Sequence, residues 1–259
     1  MKVLIVHDFG QRIGGAEQMS ITLRDGLRAR GHDCRWFTSR ALAGEGPIES
    51  DHTAWGTTGP LRRITQIANP AAANALRRVV RDFQPDVVHV RMFLNQLSPL
   101  ILPVLRNVPT LLHVVIYELI CPIALKRLPD GRDCPHRPGS VCWRERCVSL
   151  GGLARVAVQR RLLHAGFDVF DRVIANSDYV RRRLEHEGWR VDDVVWNGVP
   201  QPVEVGHPLA DEPTAVFAGR LTGEKGIVWL LDAFARISRQ VPAYPRERIE
   251  QPEDPLLPG

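Results

Sequence analysis

Lysine is nearly absent from this 259-residue chain: of its 34 basic residues, only Lys2, Lys126 and Lys225 are lysines. The arginines often follow one another directly, as in Arg62-Arg63 and Arg181-Arg182-Arg183, and no aromatic residues alternate with them. This pattern is typical of solvated helix faces and gives no support for nucleic acid as a partner. The net charge of +5 is a modest basic field that suits an anionic substrate or an anionic membrane surface.

Long uninterrupted hydrophobic runs are also missing. The most apolar region, residues 97–123, is interrupted by Pro99, Pro103, Arg106 and Pro109, so it does not have the pattern of a membrane-spanning helix. No secretory signal pattern opens the chain, because Lys2 leads directly into an apolar run. We therefore expect a cytoplasmic protein, with peripheral contact at the inner face of the membrane as the alternative.

Two nucleotide-binding motifs are lacking as well. The first glycine-bearing loop, residues 10–15, has neither the G-x-G-x-x-G spacing of dinucleotide-binding folds nor the Lys-Ser or Lys-Thr pair of a P-loop. Cys34 stands near the position where an acidic ribose ligand would be expected. These absences disfavour a nicotinamide-dependent oxidoreductase.

The cysteines form no C-x-x-C pair, the usual spacing of zinc modules. Four of the five nevertheless fall within one segment, as Cys121, Cys134, Cys142 and Cys147. Two interpretations stay open, a structural metal site and free thiols, whereas disulfides are disfavoured in a cytoplasmic protein.

What the sequence does contain begins with the run Lys2–Phe9, which has the unbroken apolar pattern of a strand buried on both faces. Gly10, Gly14 and Gly15 follow, and helical periodicity starts at Ala16. A strand, glycine turn and helix in this order place backbone N–H groups at a helix N-terminus, where a phosphate or sugar hydroxyl can bind. The structural alternative is that Gly14 and Gly15 only allow a tight turn.

Strands and helices alternate along the rest of the chain, which predicts an α/β fold with a doubly wound, mostly parallel sheet. Further strands are expected at residues 33–38, 85–90, 110–117, 171–176 and 191–196. Further helices are expected at residues 61–83, with a break at Asn69-Pro70, and at residues 94–106, 153–164 and 179–187. Ser177 is the expected N-cap of the last of these helices.

The same pattern divides the chain into a first domain, residues 1–200, and a polar, proline-bearing linker, residues 201–213. Residues 214–239 then read as the start of a second domain, with a strand at residues 214–218, a glycine-bearing loop and a helix from Ile227. The last residues, 240–259, hold five prolines and no periodicity, so we expect them to be disordered.

Four segments together resemble the N-terminal part of the retaining glycosyltransferases of family 4. They are the opening strand with Gly14-Gly15-Ala16-Glu17, the strand Pro85-Asp86-Val87-Val88-His89, the signal Asn197-Gly198-Val199, and Ala218-Gly219-Arg220-Leu221 followed by Glu224-Lys225-Gly226. The resemblance covers residues 1–239 and implies the GT-B architecture of two Rossmann-like domains. It also implies an incomplete second domain, because the paired glutamates that orient the donor in this family have no counterpart here.

The resemblance assigns Gly14, Gly15, Arg220 and Lys225 to the diphosphate of a nucleotide-sugar donor. A guanidinium and an ammonium stabilise the charge that develops on a leaving nucleoside diphosphate, so no metal and no other cofactor are expected. The alternative for Arg220 and Lys225 is an ordinary solvated loop.

Glu17 is assigned to the acceptor side by the same resemblance. Members of the family often carry a His-Asp pair where this chain has Val115-Ile116. His113 lies on the same strand face as position 115 and is the candidate catalytic replacement, with a buried core histidine as the structural alternative.

The sequence thus predicts transfer of a sugar from a nucleotide diphosphate sugar to a glycan or lipid-linked acceptor with retention. The alternative is an inactive acceptor-binding half, or a subunit that needs a partner chain to supply the donor domain. The exposed apolar side chains expected in the second domain favour docking onto the first domain or onto such a partner.

Overall fold

The computed structural model describes residues 1–44, 46–199 and 215–240. The chain divides into two compact units, Met1–Val203 and Glu204–Gly259, and each is described by itself. The predicted linker, residues 201–213, lies outside the described residues. So does the predicted disordered tail, apart from Gln240.

The first unit is built on a seven-stranded sheet in which every neighbouring pair of strands is parallel. Its strands are β1 Lys2–Phe9, β2 Asp33–Ser39, β3 His52–Ala54, β4 Val87–Val90, β5 Thr110–Val114, β6 Arg172–Ala175 and β7 Asp193–Val194, in the spatial order β3-β2-β1-β4-β5-β6-β7. The strand order reverses between β1 and β4, which is where doubly wound folds bind ligands. The predicted α/β fold is therefore confirmed.

Six α-helices connect these strands in the first unit. They are α1 Gly15–Ala29, α2 Arg62–Thr65, α3 Pro70–Phe83, α4 Ser140–Arg144, α5 Leu150–Gly166 and α6 Asp178–His186. Asn69 caps α3 by accepting a hydrogen bond from the Ala72 amide, and Pro70 occupies the first turn, where it loses no helical hydrogen bond. Ser177 caps α6 through the Val180 amide, as the sequence predicts.

The two faces of the sheet are covered unequally. One face packs against α3, α5 and α6 in a large core that includes Leu4, Val88, Leu112 and Val173. The other face packs against α1 in a smaller core made by Val3, Ile5, Ile21, Cys34 and Trp36. The alternation of residues along β1 between these cores explains why this strand is apolar from Val3 to Val6.

The helix expected at residues 94–106 is wrong over residues 94–98, which are not helical. Only Pro99–Leu105 is helical, and it is a 3-10 helix. Pro99 and Pro103 cannot donate backbone hydrogen bonds, and the amides of residues 95–97 donate to the Asp8 side chain. β3 is not among the strands expected from the sequence, since three residues are too few for a recognisable strand pattern.

In the second unit, a 3-10 turn at Gly223–Lys225 precedes α7 Ile227–Gln240. The strand expected at residues 214–218 is wrong over the described residues 215–218, where Val216 is 82% exposed and no neighbouring strand supplies hydrogen bonds. The apolar side chains of α7 are exposed, with Trp229 at 82%. No helix in the described ranges is long and apolar enough to cross a membrane.

Candidate functional site

Two carboxyl groups hold the loop that follows β4. Asp8, fully buried at the end of β1, accepts hydrogen bonds from the amides of Asn95, Gln96 and Leu97 at 2.7–3.0 Å. Glu118, which follows β5, accepts the amides of the preceding residues 93 and 94. Five consecutive backbone donors are thereby satisfied, and this fixes the loop at the carboxyl edge of the sheet.

The same two carboxyl groups have raised pKa values. Removal from water raises the pKa of Asp8 to about 6, against the opposing effect of its three amide donors. Burial, and then the nearby charge of Asp8, raise the pKa of Glu118 well above its usual value. Because neighbouring carboxylates disfavour each other's ionisation, the pair holds less negative charge than two free acids.

A cavity of about 1170 Å³ opens beside this loop, and we call it the basic cavity. Its polar lining includes Arg62, Arg63, Asn95, Glu118, Ser149 and Arg155. Phe9, at the end of β1, also lines it, which places the cavity at the carboxyl edge of the parallel sheet. This edge is the usual ligand-binding edge of such folds.

Arg62 is half-buried, whereas Arg63 is exposed, as the sequence interpretation of a solvated helix face expects. Arg62 donates from Nη2 to Asn95 Oδ1 at 3.0 Å, and its buried Nε has no hydrogen-bond partner among the described residues. Arg155, on α5, has its pKa lowered first by burial and then by the charges of Arg62 and Arg63. Three guanidinium groups from two helices therefore converge on one cavity.

Gly14 and Gly15 form the start of α1. Gly14 is extended, with φ −168°, and no side chain caps the helix. A Cβ at Gly15 would meet no atom within 4 Å, and one at Gly14 would meet only Glu17 Oε2 at 3.6 Å. The backbone therefore does not require glycine at either position, and neither residue lines the basic cavity.

Glu17 lies in the first turn of α1 and is 6% exposed. Its Oε1 is 3.9 Å from Nε2 of His7, a buried histidine whose pKa is lowered to about 3 by burial and by Arg91. Burial lowers the pKa of Arg91 to about 10, and Glu17 opposes this shift. The acceptor-side candidate Glu17 thus belongs to a buried group of charged and polar side chains between α1 and the sheet.

His113 lies on the sheet face that α1 covers. It is 5% exposed, and its ring stacks on His89 with 5.5 Å between centroids. It lines a largely apolar groove of about 1000 Å³ with residues of α1 and with residues 195–199, and it does not line the basic cavity. Burial and Arg91 lower the pKa of His113 to about 4, so the ring is neutral at pH 7.

Arg220 and Lys225 belong to the second unit. Lys225 ends the 3-10 turn, and Gly226, with φ +78°, connects this turn to α7. The left-handed conformation of Gly226 is one that side chains rarely adopt, so glycine is required at this junction.

The cysteine segment, residues 121–147, folds around a buried ion pair. Lys126 Nζ donates to Glu187 Oε1 and to the His136 carbonyl, and its side chain is 5% exposed. All five cysteines are free, and burial is the main cause that raises the pKa of Cys142. Within the described part of the chain, no three His, Cys, Asp or Glu side chains are grouped as metal ligands.

Sequence reasoning missed Asp8, Glu118 and Arg155 as site residues. An acidic residue close behind the apolar run Val3–Val6 was the available signal for Asp8. Arg155 and the pair Arg62-Arg63 are separated by about ninety residues in the sequence, so only the fold brings them together.

A family model for the glycosyl transferase 4-like domain matches residues 14–198. Among solved structures, the sucrose-phosphate synthase of Thermosynechococcus elongatus superposes with a TM-score of 0.54 at 18% identity, covering 92% of this chain and 60% of that one. A lipopolysaccharide outer core galactosyltransferase, WaaB, gives a TM-score of 0.49 at 12% identity and covers 91% and 58%. No curated protein sequence matches the chain.

The chain thus spans 60% of the length of the synthase whose fold it shares. The family model covers more than half of the chain, including the opening glycine turn, all strands after β1 and the Asn197-Gly198 signal. The chain belongs to the glycosyl transferase 4-like family, with the Rossmann-like fold of the GT-B glycosyltransferases.

Proposed function

We propose that this chain acts in the transfer of a sugar from a nucleotide diphosphate sugar to a glycan or lipid-linked acceptor, with retention. The observation that carries the proposal is the basic cavity of about 1170 Å³ at the carboxyl edge of the sheet. A cavity of this size suits a sugar-containing ligand, and its edge is where doubly wound folds bind substrates. In this proposal, residues 1–200 form the acceptor-side domain and residues 214–239 begin the donor domain after a linker at 201–213.

On the donor side, the glycine turn would contact the diphosphate. Neither Gly14 nor Gly15 needs to be glycine for the backbone, and nothing fills the space beside Gly15. The amides of Gly15 and Ala16 have no hydrogen-bond acceptor among the described residues. An open helix N-terminus without side chains is suited to an approaching phosphate group.

Arg220 and Lys225 would supply the positive charge that stabilises the leaving nucleoside diphosphate. The charge on that group increases as the glycosidic bond breaks, so fixed cations bind the transition state more strongly than the ground state. With two such cations, this proposal needs no metal ion.

On the acceptor side, we assign Glu17 and His113 to positioning of the acceptor and to proton transfer, respectively. His113 is neutral at pH 7 because its pKa is lowered to about 4, so its ring can accept a proton. Its position in the groove beside α1, outside the basic cavity, requires the acceptor hydroxyl to reach that side of the sheet.

The test is release of UDP or GDP from a panel of nucleotide sugars by the purified chain. We expect Lys225→Ala to lower the release by tenfold or more, since a charge-assisted phosphate contact contributes about 1.5–3 kcal/mol. Lys2→Ala is the matched control, because Lys2 is the first residue of β1 and lies at the edge of the sheet opposite the carboxyl edge.

If the chain neither binds nor releases the nucleotide from any sugar in the panel, the transferase proposal is contradicted. Acceptor binding that persists without them would then favour the alternative of an acceptor-binding half.

A further inference from the structure

The lining of the basic cavity holds three arginines and one acidic residue, and Asp8 lies close enough to Arg62 for their charges to interact. Arg62, Arg63 and Arg155 form no ion pair among the described residues. The lining contains one acidic residue, Glu118, whose two oxygens accept backbone amides and whose pKa is raised by burial. The cavity is therefore electropositive at neutral pH.

Other arginines of the first unit do find carboxylate partners. Arg12 pairs with Glu49 at 2.5 Å, Arg28 with Asp51 at 2.7 Å, and Arg181 with Asp178 at 2.9 Å. Two arginines of the cavity instead donate to neutral amide oxygens: Arg62 to Asn95 Oδ1, and Arg155 to Gln159 Oε1 at 3.5 Å. The like charges of these arginines repel one another, and an anion bound between them removes this repulsion.

The remaining donors of the cavity also suit an anion. Arg62 Nε is buried and has no partner within the part of the chain that the structure describes. Ser149, the N-cap of the 17-residue helix α5, lines the same cavity, and no acidic residue occupies the first turn of that helix. A planar guanidinium binds two oxygens at once, so three of them match a phosphate or diphosphate better than a single carboxylate.

We propose that the acceptor carries a phosphate or diphosphate group and that Arg62, Arg63 and Arg155 hold it in the basic cavity. This proposal rests on the proposed transferase function and names the chemical class of its acceptor. The phosphate belongs to a soluble sugar phosphate or to a lipid diphosphate, which share this chemistry. The apolar side of the cavity, at Pro122, Ile123 and Val148, accommodates the uncharged part of either molecule.

The test is titration calorimetry of the full chain with inorganic pyrophosphate, in a Lys225→Ala background that removes one proposed donor-side cation. Arg62→Gln and Arg155→Gln should each weaken binding tenfold or more, and higher salt should weaken binding by the parent. The matched control is Arg161→Gln, which removes an exposed arginine from the same helix outside the cavity. Arg155→Lys should bind better than Arg155→Gln, because it keeps the charge.

The decisive comparison is between the parent and an Arg62→Gln, Arg155→Gln double variant whose circular dichroism spectrum is unchanged. Equal binding of pyrophosphate by the two proteins would overturn the proposal. A parent that does not bind pyrophosphate would also overturn it.

A competition experiment identifies the source of the phosphate, with a hexose 6-phosphate as one probe and phosphatidylcholine vesicles containing a polyprenyl diphosphate as the other. Displacement by either supports the proposal, and displacement by neither overturns it.

Failure of this inference is distinguishable from failure of the transferase proposal. Suppose that nucleotide release depends on Lys225 and that the double variant uses the acceptor as well as the parent does. This result contradicts only the proposal of an anionic acceptor.

Discussion

At the scale of single residues, the buried pair Lys126 and Glu187 connects the cysteine segment to the end of α6. Their side chains are 5% and 3% exposed, so neither charge is solvated by water. We expect Glu187→Gln to destabilise the protein by about 3–5 kcal/mol, because it leaves the ammonium with only carbonyl partners. Chemical denaturation followed by circular dichroism measures this change.

The control for this prediction is Asp82→Asn, which breaks the surface pair of Arg81 and Asp82 without a detectable change in midpoint. A Lys126→Met, Glu187→Leu double variant should recover much of the loss, since no unpaired charge remains buried. A double variant as unstable as Glu187→Gln would show that packing, and not the unpaired charge, causes the loss.

Gly10 and Gly15 provide a second contrast between residues. A Cβ at Gly10 would lie 2.5 Å from Thr38 Oγ1 and 2.8 Å from Ile48 Cγ2, both on stiff β-branched side chains. We expect Gly10→Ala to destabilise the fold by about 1–3 kcal/mol. Gly15→Ala should leave the thermal midpoint unchanged or slightly raised, because the space beside Gly15 is empty and alanine favours helix.

Nucleotide release by the same Gly15→Ala protein separates a structural from a binding role. A methyl group in the proposed phosphate approach should lower release while stability is kept. Full activity with full stability would remove Gly15 from the proposed donor site.

At the scale of structural elements, the loop between β4 and the 3-10 helix Pro99–Leu105 depends on Asp8. An asparagine there has one acceptor oxygen for three amides, and its own N–H groups would face donors. We therefore expect Asp8→Asn to cost about 1–3 kcal/mol. Amide exchange of Asn95, Gln96 and Leu97 should accelerate more than exchange within β4, and uniform acceleration would contradict this local role.

The same loop shows which elements the sequence could predict. Helices with a clear start signal, such as α3 at Asn69-Pro70 and α6 at Ser177, follow from local hydrogen bonding and were predicted close to their observed ends. The loop at residues 91–98 takes its shape from Asp8 and Glu118, one far before it in the chain and one after it. Local patterns cannot contain such partners, so the sequence favoured a helix there.

The residues of the candidate site also differ in how far the sequence could predict them. Gly14, Gly15, Arg220 and Lys225 occur in short motifs, which sequence analysis can recognise. The arginines of the basic cavity carry no motif, and their function as a group depends on α2 and α5 meeting beside the sheet. Their pattern along each helix is the one that solvated arginines also show.

At the scale of the whole molecule, the buried histidines make stability depend on pH. His113 has its pKa lowered from 6.5 to about 4, so it adds stability above pH 6.5 that is lost as the pH falls towards 4. Relative to His113→Leu, the wild-type protein should lose on the order of 3 kcal/mol between pH 7 and pH 4. Urea unfolding of both proteins across this range measures the difference.

A constant difference between these two proteins would contradict the prediction. Asp8 acts in the opposite direction, because its pKa is raised to about 6 and its protonated form is favoured by folding. Asp8→Asn should therefore steepen the loss of stability at acidic pH.

The order of strands in the sheet also bears on how the chain folds during synthesis. β1 precedes the other strands of the sheet in the chain, yet it lies between β2 and β4, and its partner β4 begins only at Val87. Until then, one edge of the most apolar strand has no neighbour on the ribosome-bound chain. Such long-range pairing slows folding and leaves an aggregation-prone strand edge exposed. We therefore expect chaperones that act during synthesis to bind this nascent chain.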